Sequence, residues 1–281
     1  MSEANRQQIE LWSGALGKRW VAYQEAMDRI WRPISEIALE CAGVKAGEHI
    51  VDIGCGCGAT ALELARRVGP SGSVLGIDVS APMLDRARQR AQESALSNLA
   101  LVEADASTYP FDGTADLIFS RFGVMFFADP VAAFSNLRRA LRPGGRVTFV
   151  CFRQREQNAW WRVPMTATWT VVAPESPTPA TEPGPFSLAD EARIRAILVN
   201  SGFADAACEA IDCDVVLGVD PASTAEFMIN AGPAARAVGG ANDATRVRVH
   251  DAIASALSRH VSSEGVSLRA ATWIVRAVNP S

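Results

Sequence analysis

Short apolar runs recur along the first half of the chain, and stretches with helical spacing separate them. The runs cover residues 49–53, 73–78, 99–102, 116–120 and 147–150. Apolar runs of this length, bounded by turn residues, are typical of buried strands, and their alternation with helices is typical of a parallel sheet. The pattern therefore predicts an α/β fold.

A glycine-rich elbow follows the first of these strands. Its glycines, Gly54, Gly56 and Gly58, precede a helical pattern over residues 59–68. Glycine lacks a Cβ, so the backbone can turn sharply and come close to a ligand, and the free N–H groups at a helix start attract an anionic group. The elbow indicates a nucleotide-like cofactor. It also fits the loose dinucleotide fingerprint, so it does not identify that cofactor.

Residues beyond the elbow narrow the choice of cofactor. Asp78 ends the second strand roughly 20 residues beyond the elbow, where a carboxylate can accept both hydroxyls of a ribose. Asp105 follows the third strand, where an acceptor suits an adenine amine. Residues 116–123 form a strand that opens into an aromatic-rich loop. Residues 140–146 contain a proline and two glycines, which end a helix before the fifth strand.

In their order and spacing, these segments resemble the class I S-adenosylmethionine-dependent methyltransferases. The resemblance is strong over residues 44–152. Within the family, the chain is most similar to the branch of ubiquinone/menaquinone-biosynthesis and other small-molecule methyltransferases. The resemblance implies a Rossmann-like, doubly wound sheet of seven strands, mostly parallel with an antiparallel last strand. It also implies S-adenosyl-L-methionine as the cofactor and methyl transfer as the activity.

The cofactor residues that the resemblance implies lie in these segments and in the helix after the second strand. They are Asp52, Gly54, Cys55 and Gly56 at the methionine end, Asp78 and Val79 at the ribose, Met83, Asp105 and Ala106 at the adenine, and the backbone of Ser120 and Arg121 at the α-amino group. Two of these assignments have structural alternatives. Met83 could equally be a core residue, and Asp52 could instead cap an element or form an ion pair.

Residues 1–43 are predicted as an N-terminal helical lid, with a tryptophan-rich helical pattern over residues 7–41. Tyr23, Met27 and Trp31 are spaced i, i+4 and i+8, so they lie on one face of a helix. This face could pack on the sheet, or the segment could form a lid over cofactor and substrate, as the resemblance suggests. We expect both, with Trp31 in the packing and Trp12 and Trp20 as lid residues near the cofactor.

The rest of the chain divides into three further parts. They are a cofactor-binding core at 44–152, a cap insertion at 153–186, and the C-terminal part of the sheet at 187–281 with a helical insertion at 221–262. The cap combines a helical stretch with a proline-rich loop. Ser187 is interpreted as the start of a capping box for a helix over 188–200. Alternation predicts the last two strands at 207–217 and 267–278.

Aromatic and sulfur-containing side chains near the elbow and in the cap predict a dry acceptor pocket. The candidates are Phe122, Met125, Phe127, Trp160 and Trp161. Phe126 and Phe127 are neighbours in the chain and cannot share one face, so one of them is expected to be a core residue.

No catalytic residue is assigned from the sequence. The histidines are His49, His250 and His260, and none of them lies in a motif loop. The activated methyl group requires mainly in-line alignment and exclusion of water. We therefore expect SN2 displacement on a small, partly apolar acceptor whose nucleophile needs little activation, such as a phenolate, enolate, thiolate or amine.

Composition and charge exclude several other classes. The formal net charge of −4, with mixed signs, argues against a nucleic-acid partner. No apolar run is long enough to span a membrane. Six cysteines without regular spacing, and no apolar leader, predict a cytoplasmic protein. Cys55 and Cys57 lack a second ligand pair, so no metal is expected. A homodimer is possible.

Two other functions remain open at this stage. A nicotinamide-dependent oxidoreductase would share the elbow and Asp78, although Asp105 and the segment 141–146 count against it. A protein that binds S-adenosylmethionine without transferring its methyl group would retain the cofactor motifs and differ only at the acceptor site.

Overall fold

The computed structural model describes residues 3–174, 179 and 181–280, without the side chains of residues 3–5. Its strands form one sheet with the order β3-β2-β1-β4-β5-β8-β6, and a short β7 pairs with β8. The strands are β1 His49–Ile53, β2 Ser73–Asp78, β3 Leu99–Glu103, β4 Ala115–Arg121, β5 Leu141–Phe152, β6 Ala204–Gly218, β7 Val261–Ser262 and β8 Gly265–Val278.

Helices connect these strands and precede the first one. They are α1 Glu3–Ser13, α2 Ala15–Ala22, α3 Gln24–Ala42, α4 Ala59–Val68, α5 Ala81–Glu93, α6 Pro130–Ala140, α7 Ala159–Thr168, α8 Glu191–Asn200, α9 Pro221–Asn230 and α10 Asp243–Leu257. The single helical pattern before β1 is thus three helices. Gly14 separates the first two, and Tyr23 ends the second.

The sheet confirms the predicted fold class. Strands β3, β2, β1, β4 and β5 pair in parallel, whereas β8 is antiparallel to both of its long neighbours. The strand order reverses between β1 and β4, which are adjacent although they are not consecutive. In doubly wound sheets, ligands bind at the carboxyl ends of the strands next to such a reversal. The two-residue β7 was not anticipated.

Large aromatic side chains fill the centre of the core. Phe119 of β4, Phe134 of α6 and Phe149 of β5 are fully buried, and the rings of the last two lie 5.2 Å apart. Burying one such side chain contributes about 1.5–3 kcal/mol to stability. Phe119 and Phe149 lie in continuous apolar runs, as expected for strands of a parallel sheet that is buried on both faces.

The β6–β8 ribbon extends beyond the carboxyl edge of the parallel strands. Pairing between β5 and β8 stops where Phe152 meets Thr272, but β6 and β8 remain paired as far as Gly218 and Val266. Helix α10 contacts both α7 and α9, which pack beside this extension on β8 and β6 respectively. They form a helical layer above the edge where the elbow lies.

Local capping corrects one predicted helix start. Helix α8 begins at Glu191, because the Asp190 side chain accepts a hydrogen bond from the Arg193 backbone N–H and caps the helix. The Ser187 hydroxyl instead donates to the Met125 carbonyl oxygen at 2.6 Å. The capping box at Ser187 was therefore wrong. Part of the predicted proline-rich loop, residues 175–178 and 180, lies outside the described residues. The four-part division of the chain stays a prediction.

Candidate functional site

The glycine elbow lies between the ends of β1 and β4. The Gly54 and Cys55 N–H groups both donate to the Ile77 carbonyl oxygen, at 2.8 and 3.2 Å, just beyond the last paired residues of β1 and β2. A Cβ on Gly54 would lie 2.7 Å from the Gly123 Cα, and its φ of +67° is in the left-handed region. Both features explain why glycine is required here.

Asp78 is joined to the elbow by hydrogen bonds. One carboxylate oxygen accepts from the Gly56 N–H at 2.8 Å, and the other accepts from the Ser80 N–H at 2.9 Å. Burial raises the pKa of this carboxyl, and the hydrogen bonds from Ser80 and Gly56 oppose the rise. A carboxylate oxygen can accept more than one hydrogen bond, so Asp78 keeps acceptor capacity for ribose hydroxyls.

Asp52 is fully buried at the end of β1 and is only half satisfied. Its Oδ2 accepts from the Thr60 hydroxyl at 2.7 Å, whereas its Oδ1 has no hydrogen-bond partner among the described residues. Burial raises the pKa of Asp52 to about 7, against the opposing effects of the Thr60 hydrogen bond and the Arg121 charge. A buried acceptor without a donor is costly. An ammonium group would satisfy it, so this residue fits the methionine end of S-adenosylmethionine.

Charged residues from distant elements surround the elbow. The Arg121 guanidinium donates to the Ser35 hydroxyl of α3 at 3.0 Å. Burial lowers the pKa of Arg121, and the charges of Asp28 and Asp52 oppose this effect. Arg90 of α5 pairs with Asp28 at 2.8 Å and also donates to the Cys57 carbonyl oxygen at 2.6 Å. Helix α3 is thus held over the elbow by polar contacts.

Asp28 and Arg90 were not recognised as site residues from the sequence. Asp28 follows Met27 of the apolar face, and Arg90 lies on α5 among several other arginines. Each looks like an ordinary solvated helix residue. Only the approach of α3 to α5 in the folded chain reveals the pair.

The N-terminal helices cover the loop after β2. The Ser80 hydroxyl donates to the Trp12 carbonyl oxygen at 2.7 Å, and the Ser13 hydroxyl donates to the Val79 carbonyl oxygen at 2.8 Å. The Trp12 ring lies 5.8 Å from that of Trp20 and 5.1 Å from that of Phe126. Trp12, Trp20 and Val79 are therefore placed together beside Asp78, which is compatible with the predicted lid.

The residues predicted to contact the adenine come from two segments. Met83 lies in α5, and Asp105 and Ala106 follow β3. Met83 is buried, and its Cε would lie 2.7 Å from a Cβ on Gly56, so it packs directly on the elbow. Asp105 accepts a hydrogen bond from the Ser107 N–H at 2.9 Å. Ala106 is buried, and its carbonyl oxygen accepts from the Asn136 side chain at 3.0 Å.

The two elbow cysteines are buried thiols. Burial raises the pKa of Cys55 well above its ordinary value and that of Cys57 to about 12. Such groups stay protonated at neutral pH and are poor nucleophiles. Within the described part of the chain, no group of three or more His, Cys, Asp or Glu side chains is arranged to hold a metal ion.

An aromatic cluster lies next to the elbow, at the carboxyl ends of β4 and β5. We define it as Trp31, Phe122, Phe152, Trp160, Trp161 and Phe186. Phe122 stacks on Phe152 at 4.3 Å with 13° between the ring planes, and the Trp31 ring lies 5.3 Å from Phe122 and 5.1 Å from Trp160. Phe122 has a φ of +66°, which is uncommon for a residue with a side chain.

The other predicted pocket residues, Phe127 and Met125, lie outside the aromatic cluster. The Phe127 ring contacts Phe134 of the core at 6.1 Å, whereas the ring of Phe126 contacts Trp12 of the lid. Of this pair, Phe127 is therefore the core residue, and Phe126 faces the site. Met125 is buried, and its carbonyl oxygen accepts from Ser187 and from the Gly184 N–H. It fixes the loop 184–187 against β4.

The histidines lie away from the elbow. The His49 ring contacts the Ser73 hydroxyl at 2.8 Å at the start of β1, the opposite end of the strand from the elbow. His250 pairs with Asp251 at 3.0 Å, and that hydrogen bond raises its pKa. His260 belongs to the short helical turn that precedes β7. None of the three is placed in the aromatic cluster.

Comparison with known proteins shows which proteins one part of the chain resembles. Residues 50–145 match the family described as a methyltransferase domain. The chain is 37% identical over 128 residues to the 2-phytyl-1,4-naphtoquinone methyltransferase of Trichormus variabilis, covering 45% of this chain and 55% of that protein. It is 35% identical over 133 residues to the ubiquinone/menaquinone biosynthesis C-methyltransferase UbiE of Saccharophagus degradans, covering 47% of this chain and 52% of that protein.

A solved structure extends the likeness of the fold. Phosphoethanolamine N-methyltransferase 2 from Haemonchus contortus, in complex with phosphomonomethylethanolamine and S-adenosylhomocysteine, superposes with a TM-score of 0.55. It is 20% identical and covers 89% of this chain and 53% of that one. This likeness concerns the fold alone.

The matches confirm the resemblance to the class I S-adenosylmethionine-dependent methyltransferases, and residues 50–145 match a methyltransferase domain. S-adenosylmethionine is the cofactor that this class uses. The chain spans about half the length of the curated relatives it matches. Among the described residues, no helix is both long enough and apolar enough to cross a membrane.

Proposed function

We propose that this protein transfers the methyl group of S-adenosylmethionine to a small, partly apolar acceptor that carries an aromatic ring. The observation that carries the proposal is the buried, half-satisfied carboxylate of Asp52, which lies at the elbow beside Asp78. The Oδ1 atom of Asp52 requires a donor, and the ammonium group of the cofactor would supply one. The names of the matched relatives, a naphthoquinone and a quinone-biosynthesis methyltransferase, support a ring-bearing acceptor.

The bound cofactor would supply an activated methyl group. The residues of the chain would then have three tasks. Asp52 would hold the methionine end of the cofactor and Asp78 its ribose. The N-terminal helices would cover the cofactor, and the aromatic cluster would hold the acceptor in line and exclude water. Alignment in a dry site is the source of rate acceleration, by SN2 displacement at the methyl carbon.

The proposed reaction does not use a dedicated general base. The hydrogen bonds of His49 and His250 are to groups outside the aromatic cluster, and the elbow thiols are protonated. The proposed acceptor therefore presents a nucleophile that is anionic or readily ionised, such as a phenolate or enolate. A cytoplasmic location, a homodimer and the absence of a nucleic-acid partner stay predictions from the sequence.

Two successive measurements test this function. Calorimetry with S-adenosylhomocysteine tests the cofactor site, and absence of binding would overturn the proposal. Tritium-labelled S-adenosylmethionine is then incubated with hydroquinones, phenols, thiols and amines, and labelled product is expected from a ring-bearing acceptor. Binding without product from any of these would favour the alternative of a protein that retains the cofactor without transferring its methyl group.

A further inference from the structure

Arg155 lies at the edge of the aromatic cluster, in the turn that follows β5. Its guanidinium carbon is 4.7 Å from the centre of the Trp161 ring and 5.3 Å from that of Phe186. The two rings lie 5.7 Å apart and are nearly perpendicular, with 83° between their planes. They fix the guanidinium from two sides, so its position does not depend on a flexible surface conformation.

The charge of Arg155 has no counter-ion in the described part of the chain. Its Nε is buried without a hydrogen-bond partner, and the residue forms no ion pair there. Arg153 provides a contrast only two positions away. Its Nε is likewise buried without a hydrogen-bond partner, and its guanidinium also lies over an aromatic ring, that of Trp273 at 5.2 Å. However, Arg153 pairs with Asp212 at 2.8 Å, so its charge has a counter-ion. A guanidinium that is partly desolvated and unpaired is costly unless an anion satisfies it.

The position of Arg155 relative to the elbow indicates which part of an acceptor would carry the anionic group. Phe186 is 6.0 Å from Phe152, which in turn stacks on Phe122 beside the elbow. Arg155 therefore contacts the aromatic cluster at Trp161 and Phe186, and Phe152 lies between these rings and Phe122 in the series of ring contacts. A ring held by the cluster would have its reacting atom toward the elbow and a substituent toward the guanidinium.

We propose that Arg155 determines acceptor specificity by binding an oxyanion on the ring-bearing acceptor. The acceptor is then an aromatic acid, with a carboxylate or phosphate at the end away from the methylated atom. The planar guanidinium matches such a group with two parallel hydrogen bonds. This inference rests on the proposed methyl transfer, since it assigns one end of that acceptor site.

The test compares an acid with its neutral amide, using 2-naphthoate and 2-naphthamide in calorimetry with S-adenosylhomocysteine present. The unmodified protein is expected to bind 2-naphthoate at least about tenfold more tightly than 2-naphthamide, a factor that corresponds to about 1.4 kcal/mol. Arg155→Gln should remove this preference, and Arg155→Lys should keep part of it because it keeps the charge. Equal binding of both probes, or no binding of 2-naphthoate, overturns the inference.

The matched control is Arg162→Gln, which removes a charge from an exposed residue of α7 in the same cap. It should leave the preference unchanged, and equal loss in both variants would indicate a general charge effect and contradict the role of Arg155. Affinity for S-adenosylhomocysteine should be the same in all variants.

A second comparison, of 2-naphthoate with 2-naphthyl phosphate, distinguishes a carboxylate from a phosphate. Methyl transfer by Arg155→Gln to a phenol without an anionic substituent distinguishes this inference from the proposed function. This activity should persist if the variant has lost only the anion site.

Discussion

The Asp78 carboxylate accepts a hydrogen bond from the Gly56 N–H at 2.8 Å, so the acid at the end of β2 is tied to the turn that follows β1. This bond orients the carboxylate before any cofactor binds. A pre-oriented acceptor loses little conformational entropy when it engages a ligand. The bond thus links the stability of the elbow to the ability of the site to hold a ribose.

Asp78→Asn is expected to weaken cofactor binding, since the amide is a poorer acceptor for ribose hydroxyls and for the Gly56 N–H. A hydrogen bond to a charged group contributes about 1.5–3 kcal/mol, so affinity for S-adenosylhomocysteine should fall by a corresponding factor in calorimetry. The control is Asp85→Asn on the exposed side of α5, where Asp85 pairs with Arg88. Unchanged affinity in Asp78→Asn would remove Asp78 from the site.

Asp52 should make the cofactor-free protein less stable as the pH rises through the weakly acidic range. Burial raises its pKa to about 7, while the group in the unfolded chain titrates near 3.8. Between these values the unfolded chain has released the proton and the folded chain has kept it, so the unfolded state binds fewer protons and stability falls with increasing pH. Below about pH 4 and above about pH 7 this contribution no longer changes with pH.

Urea unfolding of the wild type and of Asp52→Asn, at about pH 5 and about pH 8 without cofactor, isolates this contribution. The wild type should lose more stability between the two pH values than the variant, because the amide does not titrate. Equal losses would show that Asp52 is ionised in the folded protein and contradict the shift.

Gly17→Ala should disturb the cover formed by the N-terminal helices. A Cβ at this position would lie 2.0 Å from the Trp12 carbonyl oxygen and 2.5 Å from the Ser80 hydroxyl, so α1 must move away from the loop after β2. Such overpacking costs about 1–3 kcal/mol. Lower thermal stability and weaker binding of S-adenosylhomocysteine are expected. Gly240→Ala is the control, since nothing lies within 4 Å of its added Cβ, and identical behaviour of the two variants would refute the contact.

Phe122→Leu should reduce methyl transfer more than cofactor binding, because the ring stacks on Phe152 on the acceptor side of the elbow. We expect turnover to fall by about tenfold, which corresponds to about 1.4 kcal/mol in the activation free energy. Affinity for S-adenosylhomocysteine should be retained. Phe203→Leu serves as a volume-matched control, since Phe203 is buried beside Phe134 in the core. The reverse pattern, lost binding with retained turnover, would place the Phe122 ring on the cofactor.

The sequence by itself determined the strands other than the short β7, the glycine elbow and the acids near the ends of β1 and β2. These features depend on local physical constraints: the period of apolar residues, the positive φ that only glycine adopts readily, and the position of a residue at a strand end. Such constraints act within a few residues, so they can be deduced without the rest of the chain. The confirmed class of domain follows from the same features.

The tertiary structure alone decided which distant side chains meet at the site. The ion pair of Asp28 with Arg90, the hydrogen bond from Arg121 to Ser35 and the contact of Arg155 with the Phe186 ring each join separate segments of the chain. It also decided between Phe126 and Phe127, since periodicity shows that adjacent residues face apart but does not tell which one faces the lid. Contacts of this kind depend on the packing of whole helices against the sheet, which local sequence patterns do not determine.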